Sequence, residues 1–380
     1  MAATGEPGVA SSVPPVRVLW LVKGLGIGGA ERLLVAAAGV HDRAAFAIEA
    51  AYVVPAKDQL VGALEERGVP VTCLGGTSPP AWVRRLRALL DEDRFDVVHV
   101  HSPLVAAVAR LAARSVPRRR RPRVMTTEHN GWSTLALPTR LLNAATAGLD
   151  DATLAVSEET RASIWWPRAR RRTEVVVHGV DLAGLRGAAG RGPSVRAELG
   201  IGPDEVVVLT VANYRAQKAW PVLLAAAREV VDRGLPVRFV GVGQGPLEAT
   251  VAAEHRRLGL GDRLLLLGRR DDVADLLAAA DVFALASTYE GYPLAVMEAL
   301  GAGVPVVATA VGGVVDAVGD TAGLLVPPGR PDLLADALAR MVDPQERSRL
   351  AAGAERAGRR YDIAHAVAVC EAHYRRLAGR

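Results

Sequence analysis

The sequence predicts an α/β fold made of two domains, each built on a parallel sheet. Apolar stretches of strand length alternate with stretches of helix length along most of the chain, and this alternation is typical of parallel sheets covered by helices on both faces. It pauses once, at residues 183–193, and then resumes. A chain of 380 residues, half of them apolar, is long enough to bury more than one core.

The first series of elements begins at residue 16. Residues 16–22 predict a buried strand, residues 24–29 a glycine-rich turn and residues 30–40 a helix. The further strands predicted here are 47–54, 69–74, 96–101, 123–127 and 152–157, and the further helices are 58–67, 82–90 and 104–114.

Residues 183–193 are rich in glycine and show no apolar periodicity, so they predict a linker between domains. The predicted boundaries are therefore 1–183 for the first domain, 184–194 for the linker and 195–362 for the second domain. In the second series, strands are predicted at 206–211, 237–242, 264–267, 282–286 and 304–308. One helix is predicted at 222–233, a second ends near residue 258, a third starts at residue 293, and the last spans 364–378.

Composition excludes several classes of protein. No apolar run approaches the 18 residues typical of a membrane span, and residues 1–15 have no long apolar centre, which argues against a signal peptide. The two cysteines, Cys73 and Cys370, make neither a disulfide framework nor a metal cluster. We expect both to be buried free thiols in a cytoplasmic protein.

The net charge of +5 lies in the first half, where residues 1–182 hold 23 Lys and Arg against 18 Asp and Glu. The densest clusters are 118–123, with five arginines, and 165–172, where four arginines follow Trp165 and Trp166. Such clusters suit peripheral contact with an anionic membrane at its inner face, and the alternative is that they are solvated loops. No nucleic-acid-binding motif accompanies them, so nucleic acid is not an expected partner.

Two glutamates flank a predicted helix start at residues 287–298. An apolar strand ends at residue 286, Pro293 stands where a first helical residue would, Glu290 lies on the loop and Glu298 lies inside the helix. Free N–H groups at a helix start favour an anion, and carboxylates accept hydrogen bonds from hydroxyl groups. The arrangement suits a sugar–diphosphate–ribose ligand, whereas the plainer alternative is two solvent-facing glutamates.

The stretch 280–308 is similar to the signature of glycosyltransferase family 4. The resemblance rests on Glu290-Gly291-Tyr292-Pro293-Leu294, on Glu298 and on the return to a strand through residues 301–308. It implies the GT-B fold, in which two Rossmann-like domains face a cleft, with residues 363–380 crossing back onto the first domain. It also implies sugar transfer from a nucleotide donor with retention, without a metal and without a cofactor.

For single residues, the resemblance implies that Glu298 binds the ribose and that Glu290 contacts the donor sugar near the reacting carbon. Gly291, Tyr292, Pro293 and Leu294 belong to the same donor-binding stretch. The base of the donor, UDP or GDP, stays open, and the acceptor is a glycan, a lipid-linked sugar or a small molecule.

Residues 24–29 also match the G-x-G-x-x-G pattern of dinucleotide-binding proteins, with Glu49 about twenty residues on. An NAD(P)-dependent oxidoreductase is therefore an alternative. Glu49, however, falls inside an apolar strand, and the stretch from Gly28 and Gly29 to Arg32 resembles the phosphate loop of family 4 transferases. We assign Gly28 and Gly29 to donor binding.

Two cations follow the first strand of the second domain, Arg215 and Lys218. Without a metal, a transferase must stabilise a departing diphosphate with such groups and with backbone N–H groups. The common family version has Arg at the position of Asn213, so here the arginine is displaced to Arg215. Lysine occurs only three times against 43 arginines, and the chemistry of Lys218 as a compact point charge makes it the firmer assignment.

His129 ends a predicted strand and resembles the family histidine near the donor sugar, so we predict a catalytic role beside Glu290. His99 and His101 recur at strand spacing and read as sheet residues, with His101 reaching toward the cleft. At the end of the first domain the family's usual Asn is His178, which puts a ligand role for that turn in doubt.

The sequence therefore predicts a metal-independent retaining glycosyltransferase. The alternatives are a GT-B-fold sugar-nucleotide epimerase, an oxidoreductase and a non-catalytic nucleotide-sugar-binding protein.

Overall fold

The computed structural model describes residues 14–75 and 79–380 and contains two parallel sheets. The expected absence of a signal peptide concerns residues 1–15, of which 1–13 lie outside the described residues. The predicted α/β class with two parallel sheets is confirmed, because every strand pair recorded in either sheet is parallel.

In the part of the chain that the structure describes, the first sheet has seven strands, and seven α-helices lie between residues 29 and 172. The strands are β1 (Val16–Val22), β2 (Phe46–Tyr52), β3 (Val71–Cys73), β4 (Val97–Val100), β5 (Arg123–Glu128), β6 (Ala152–Ala155) and β7 (Thr173–Val175). The helices are α1 (Gly29–Val40), α2 (Val61–Glu65), α3 (Pro79–Asp91), α4 (Pro103–Ser115), α5 (Leu137–Thr146), α6 (Glu158–Ala162) and α7 (Pro167–Arg172). The strand order is β3-β2-β1-β4-β5-β6-β7.

The second sheet has six strands. They are β8 (Val206–Val211), β9 (Val237–Val242), β10 (Leu264–Leu266), β11 (Val282–Leu285), β12 (Val306–Thr309) and β13 (Gly323–Val326), in the order β10-β9-β8-β11-β12-β13. The remaining helices are α8 (Leu182–Ala188), α9 (Gly192–Glu198), α10 (Trp220–Asp232), α11 (Glu248–Arg257), α12 (Val273–Ala279), α13 (Leu294–Gly301), α14 (Gly313–Val318), α15 (Pro331–Arg340), α16 (Pro344–Gly358) and α17 (Ile363–Leu377).

Both faces of the first sheet are buried, which explains why β1 is apolar at every position but one. Val18 and Trp20 point to the face covered by α1 and α17, and Leu19 and Leu21 point to the face covered by α3 and α4. Side chains alternate between the two faces of a strand, so a strand covered on both sides reads as a continuous apolar run.

The segment predicted as a linker, residues 184–194, is helical and belongs to the second domain. It lies within α8, a short 3₁₀ turn and α9. Leu182, Leu185 and Ala188 are buried at a spacing of three residues, and the two leucines join the second core. The glycines between them lower helix propensity without preventing the helix, because burial of this apolar face stabilises it.

The chain crosses between the domains twice, and the two crossings pair with each other. The N–H of Val180 donates to the carbonyl of Tyr361 at 2.7 Å, and the N–H of Ile363 donates to the carbonyl of Val180 at 3.0 Å. A Cβ on Gly179 would lie 2.2 Å from the backbone of Ile363, so glycine is what allows this approach. After the crossing, α17 packs on the first sheet, where the Tyr374 hydroxyl accepts from Trp20 at 3.1 Å.

The described helices include none that is both long enough and apolar enough to cross a bilayer. Cys73 and Cys370 are both free and only half-buried, so the expectation of buried thiols holds in part. Burial raises the pKa of Cys370 to about 12.

Candidate functional site

A buried ion pair fixes the loop that follows β11. The Oε1 of Glu290 accepts from the Nζ of Lys218 at 2.5 Å and from the Oγ of Ser287 at 2.5 Å. The side chains of Glu290 and Lys218 are 6% and 19% exposed. A second bond joins the same two loops, because the N–H of Thr288 donates to the carbonyl of Gln217 at 2.8 Å. Oε1 of Glu290 thus accepts two hydrogen bonds, and no described residue donates to Oε2.

Two glycines, Gly312 and Gly313, lie against the backbone of this loop. Gly312 has a φ of +45°, and a Cβ there would lie 1.8 Å from the carbonyl oxygen of Glu290. Gly313 donates its N–H to the carbonyl of Gly291 at 2.9 Å. Any side chain at these positions would push residues 290–291 away from their present place, so the Gly-Gly pair sets the position of the carboxylate-bearing loop.

Helix α13 begins one residue later than predicted, with Pro293 as its N-cap rather than its first residue. Among the described residues, no protein group accepts the N–H of Leu294 or Ala295, and both residues line a cleft. Glu298 lines the same cleft one turn further on. Burial raises the pKa of Glu298, and the positive charge of Arg32 lowers it in part.

The opposite wall of the cleft is the start of α1. Gly28 and Gly29 line it, and a Cβ on Gly29 would lie 3.4 Å from the Cδ1 of Leu294, so the two helix starts nearly touch. Arg32 reaches across to Asp271 at 3.8 Å. The cleft has a cavity volume of about 170 Å³ and is open to solvent at its mouth. It is further lined by Asn213, Lys218, Gly243, Gln244, Arg269 and Arg270.

His129 lies at the same edge of the first sheet and is half-buried among other histidines. Its Nε2 lies 3.1 Å from the Nδ1 of His101, and its Nδ1 lies 3.0 Å from the Nε2 of His178. Burial lowers the pKa of His129 to about 4. The backbone oxygen of His129 faces Gly291, since a Cβ on that glycine would lie 3.7 Å from it. The structure thus places His129 beside the loop that carries Glu290.

The predicted residues fall into two groups. Glu298, Lys218, Gly28, Gly29, Pro293 and Leu294 line the cleft directly, while Glu290, Gly291, Tyr292 and His129 form the adjoining loop and its neighbour. Arg215 is exposed and is not part of the cleft lining. Tyr292 is turned toward the domain crossing, with its hydroxyl 3.5 Å from that of Tyr361.

The structure brings to the site three residues that have no assigned role in the sequence prediction: Ser287, Arg32 and His178. Ser287 lies in the stretch 287–298, and Arg32 lies in the stretch that begins at Gly28. Their spacing in the sequence does not show that Ser287 bonds Glu290 or that Arg32 approaches Glu298. The departure at position 178 was a usable signal, because a histidine there contacts His129. Glu128 precedes His129 and is 1% exposed, and neither of its carboxyl oxygens has a hydrogen-bond partner among the described residues.

Glu49 does not lie where the ribose-binding acid of an NAD(P)-dependent oxidoreductase lies. It pairs with Leu19 in the middle of β2, three residues before the strand ends, and its carboxylate binds Arg94 at 2.7 Å. A ribose-binding acid in a dinucleotide fold lies at the carboxyl end of its strand. The described part of the chain also holds no group of three or more His, Cys, Asp or Glu side chains arranged to bind a metal ion.

Two sequence models of sugar transferases match the chain, one in each domain. "Glycosyltransferase Family 4" matches residues 27–183, and "Glycosyl transferases group 1" matches residues 205–343. Together they span both sheets and both walls of the cleft. The chain belongs to glycosyltransferase family 4. This membership makes it a glycosyltransferase and rules against the oxidoreductase interpretation of the glycine-rich loop.

Curated relatives and solved structures agree with this family. The putative glycosyltransferase EpsF of Bacillus subtilis is 27% identical, over 76% of this chain and 78% of its own length. The 2-deoxystreptamine glucosyltransferase of Streptomyces kanamyceticus is 32% identical, over 56% of each chain. HepE from Anabaena, solved in complex with UDP and glucose, has a TM-score of 0.81 at 20% identity and covers 94% of this chain and 99% of its own. The fold of family 4, GT-B, is thereby confirmed.

Glu128 predicts a pH-dependent stability. Burial raises its pKa to about 7 from 4.5, while the charge of Arg110 acts in the opposite direction. A raised folded-state pKa means that the protonated carboxyl stabilises the fold, fully below pH 4.5, and that this contribution is lost as pH rises through 7. Each pKa unit is equivalent to about 1.4 kcal/mol.

We therefore expect the unfolding free energy of wild type to fall relative to that of Glu128→Gln between pH 4.5 and 7, as measured by chemical denaturation at several pH values. A difference between the two proteins that is the same at pH 4 and pH 8 would contradict the assignment.

Proposed function

We propose that the protein is a metal-independent retaining transferase that moves a sugar from a UDP- or GDP-sugar to a hydroxyl of a second sugar, a lipid-linked sugar or a small molecule. The observation that carries this proposal is the start of α13, where free N–H groups, the Nζ of Lys218 and the carboxylate of Glu298 line one cleft and Glu290 lies on the loop beside it. Helix starts with unpaired N–H groups bind phosphate, and carboxylates bind the hydroxyls of sugars.

The donor would lie along the cleft with its diphosphate at the start of α13. Lys218 and the N–H groups of Leu294 and Ala295 would stabilise the negative charge of the departing nucleotide, which is the part a metal plays in other transferases. Glu298 would accept hydrogen bonds from the ribose. Glu290 would accept a hydrogen bond from a sugar hydroxyl through Oε2. A UDP donor is favoured by HepE, which is solved with UDP and with UDP-glucose.

The chemistry we propose is a same-face substitution at the anomeric carbon. The bond from that carbon to the phosphate oxygen breaks, a bond to the acceptor oxygen forms on the same face, and the acceptor proton passes to the leaving phosphate. Glu290 is a poor candidate for a covalent nucleophile, since its Oε1 already accepts from Lys218 and Ser287. His129 would close the sugar end of the cleft from the first domain and help to exclude water.

The acceptor side carries an exposed apolar and basic surface, which we name the α5–α7 face. Leu137 and Leu141 on α5 are each 54% exposed, and Trp165 and Trp166 are 47% and 44% exposed. The guanidinium of Arg140 lies 4.3 Å over the ring of Trp165 and joins the two parts. Four exposed arginines follow on α7, and none of them forms a salt bridge with a described residue: Arg168, Arg170, Arg171 and Arg172.

This face supports the proposal that the protein docks on an anionic membrane. Tryptophan and leucine side chains suit the boundary between headgroups and acyl chains, and unpaired arginines suit anionic headgroups. A relative that is 29% identical, from Escherichia coli, is a galactosyltransferase named for a diphosphoundecaprenol acceptor. Docking through this face would bring such an acceptor to the first-domain side of the cleft.

The site proposal predicts that Glu290→Gln lowers kcat by about 100-fold or more with UDP- or GDP-sugars, because a group that acts on the reacting sugar is lost. Removing one partner of a buried pair also destabilises the fold, so the double variant Lys218→Met/Glu290→Gln separates the two effects. We expect the double variant to regain thermal stability and to stay inactive. The control is Glu355→Gln, at an exposed ion pair on α16.

Product analysis tests the reaction itself. The expected product is a glycoside with the anomeric configuration of the donor, formed with a metal chelator present. An altered nucleotide sugar formed without acceptor would identify an epimerase, and tight binding without turnover a binding protein; either result, or full activity of Glu290→Gln, would contradict the proposal.

The membrane proposal predicts that the protein sediments with vesicles containing anionic lipid and not with neutral vesicles, and that salt weakens the binding. Each arginine near the surface contributes about 1 kcal/mol, so Arg170→Glu/Arg171→Glu should release most of the protein, and Trp165→Ala/Trp166→Ala should act in the same direction. Arg359→Glu, in an exposed region of the second domain, is the control. Equal sedimentation of all variants, or binding to RNA rather than vesicles, would contradict it.

A further inference from the structure

Four histidines lie side by side at the carboxyl edge of the first sheet. His99 and His101 stand at the end of β4, His129 follows β5, and His178 follows β7. The rings of His129 and His178 are stacked, with centroids 4.8 Å apart and planes inclined by 19°. With His101 bonded at 3.1 Å on its other side, His129 has both ring nitrogens in contact with another imidazole.

These contacts restrict the tautomer of His129. Burial, followed by the charges of neighbouring histidines, lowers the pKa of His101 and His178 well below the usual value, so the rings are neutral at pH 7. A neutral imidazole has one N–H donor and one acceptor nitrogen. His129 must therefore donate to one neighbour and accept from the other, and its proton can change nitrogen only if both neighbours change with it.

Among the four histidines, His178 is the one that the crossing between the domains holds in place. It lies two residues before Val180, whose N–H and carbonyl both pair with the second crossing at residues 361–363. Gly179, between them, lies against the backbone of Ile363. The backbone next to His178 is thus fixed by the crossing, and the ring of His178 contacts the ring of His129.

We propose that His178 is a positioning residue, which holds the imidazole of His129 in the orientation and tautomer that sugar transfer requires. The inference rests on the proposed function, in which His129 lies at the sugar end of the donor. It makes the crossing of the domains part of the site, because the same segment that joins the domains carries the hydrogen bond to His129. An ordinary structural histidine would affect stability and leave the chemical step unchanged.

Two variants of similar size separate the hydrogen bond from the packing. Gln places an amide nitrogen near the position of Nε2, so His178→Gln keeps a hydrogen-bonding group toward His129, while His178→Phe keeps a ring that can stack and loses the bond. We expect His178→Phe to lower kcat at least 10-fold with an unchanged KM for the donor, and His178→Gln to retain at least a third of wild-type kcat. The control is His365→Phe, at an exposed position on α17.

The contact itself is measured on the wild-type protein by nitrogen NMR of the histidine rings. We expect a coupling across the hydrogen bond between the Nδ1 of His129 and the Nε2 of His178, whatever the fate of the Phe variant. Absence of this coupling would overturn the inference, as would a folded His178→Phe with wild-type kcat or a loss confined to KM. A wild-type protein without transfer for any donor would instead contradict the proposed function, and the two failures are thereby distinguished.

Discussion

The ion pair between Lys218 and Glu290 is the interaction on which the geometry of the cleft depends. It ties the loop after β8 to the loop after β11. Ser287 bonds the same carboxylate, and the Gly312-Gly313 pair lies against the backbone of residues 290–291. A buried pair of charges stabilises a fold little, since desolvation offsets much of the attraction. Its value here is positional, because it fixes a positive charge and a carboxylate beside the unpaired N–H groups of α13.

The direction of the strands explains why these groups meet groups from the other domain. In a parallel sheet the loops after the strands share one edge, and ligands bind there. The two sheets present these edges to each other, so the start of α1 faces the start of α13, and Arg32 approaches Asp271 across the gap. The paired crossings at Val180 and residues 361–363 hold this arrangement, and His178 extends from one crossing to His129.

Much of the fold followed from the sequence because both sheets are covered on both faces. Strands such as β1, β8 and β9 are apolar at most positions and lie at the residues predicted for them, and the start of α13 near Pro293 has helix-start signals of its own. The helices between Leu182 and Glu198 were not predicted, because glycines interrupt their apolar periodicity. Their apolar face is evident only from its contact with the second core. Short elements such as β7 and α7 carry too few apolar residues to be recognised alone.

The candidate site, like the fold, could be predicted from the sequence only in part. Local motifs identified the loop of Glu290, the helix of Glu298 and the cation Lys218, because their spacing has a local physical meaning. Arg215 was assigned with Lys218 as a displaced family arginine; it is exposed and outside the cleft lining, and its role stays a prediction. Ser287, Arg32 and His178 act through partners between 3 and more than 200 residues away in sequence, so only the folded chain shows what they touch.

The most direct measurement is a crystal structure of the protein with an unreactive UDP-sugar analogue. We expect diphosphate oxygens within hydrogen-bonding distance of the N–H groups of Leu294 and Ala295 and of the Nζ of Lys218, with Glu298 bound to the ribose and Glu290 to the sugar. A ligand bound outside this cleft, or a bound ligand that leaves Glu290 and Glu298 without contact, would contradict it.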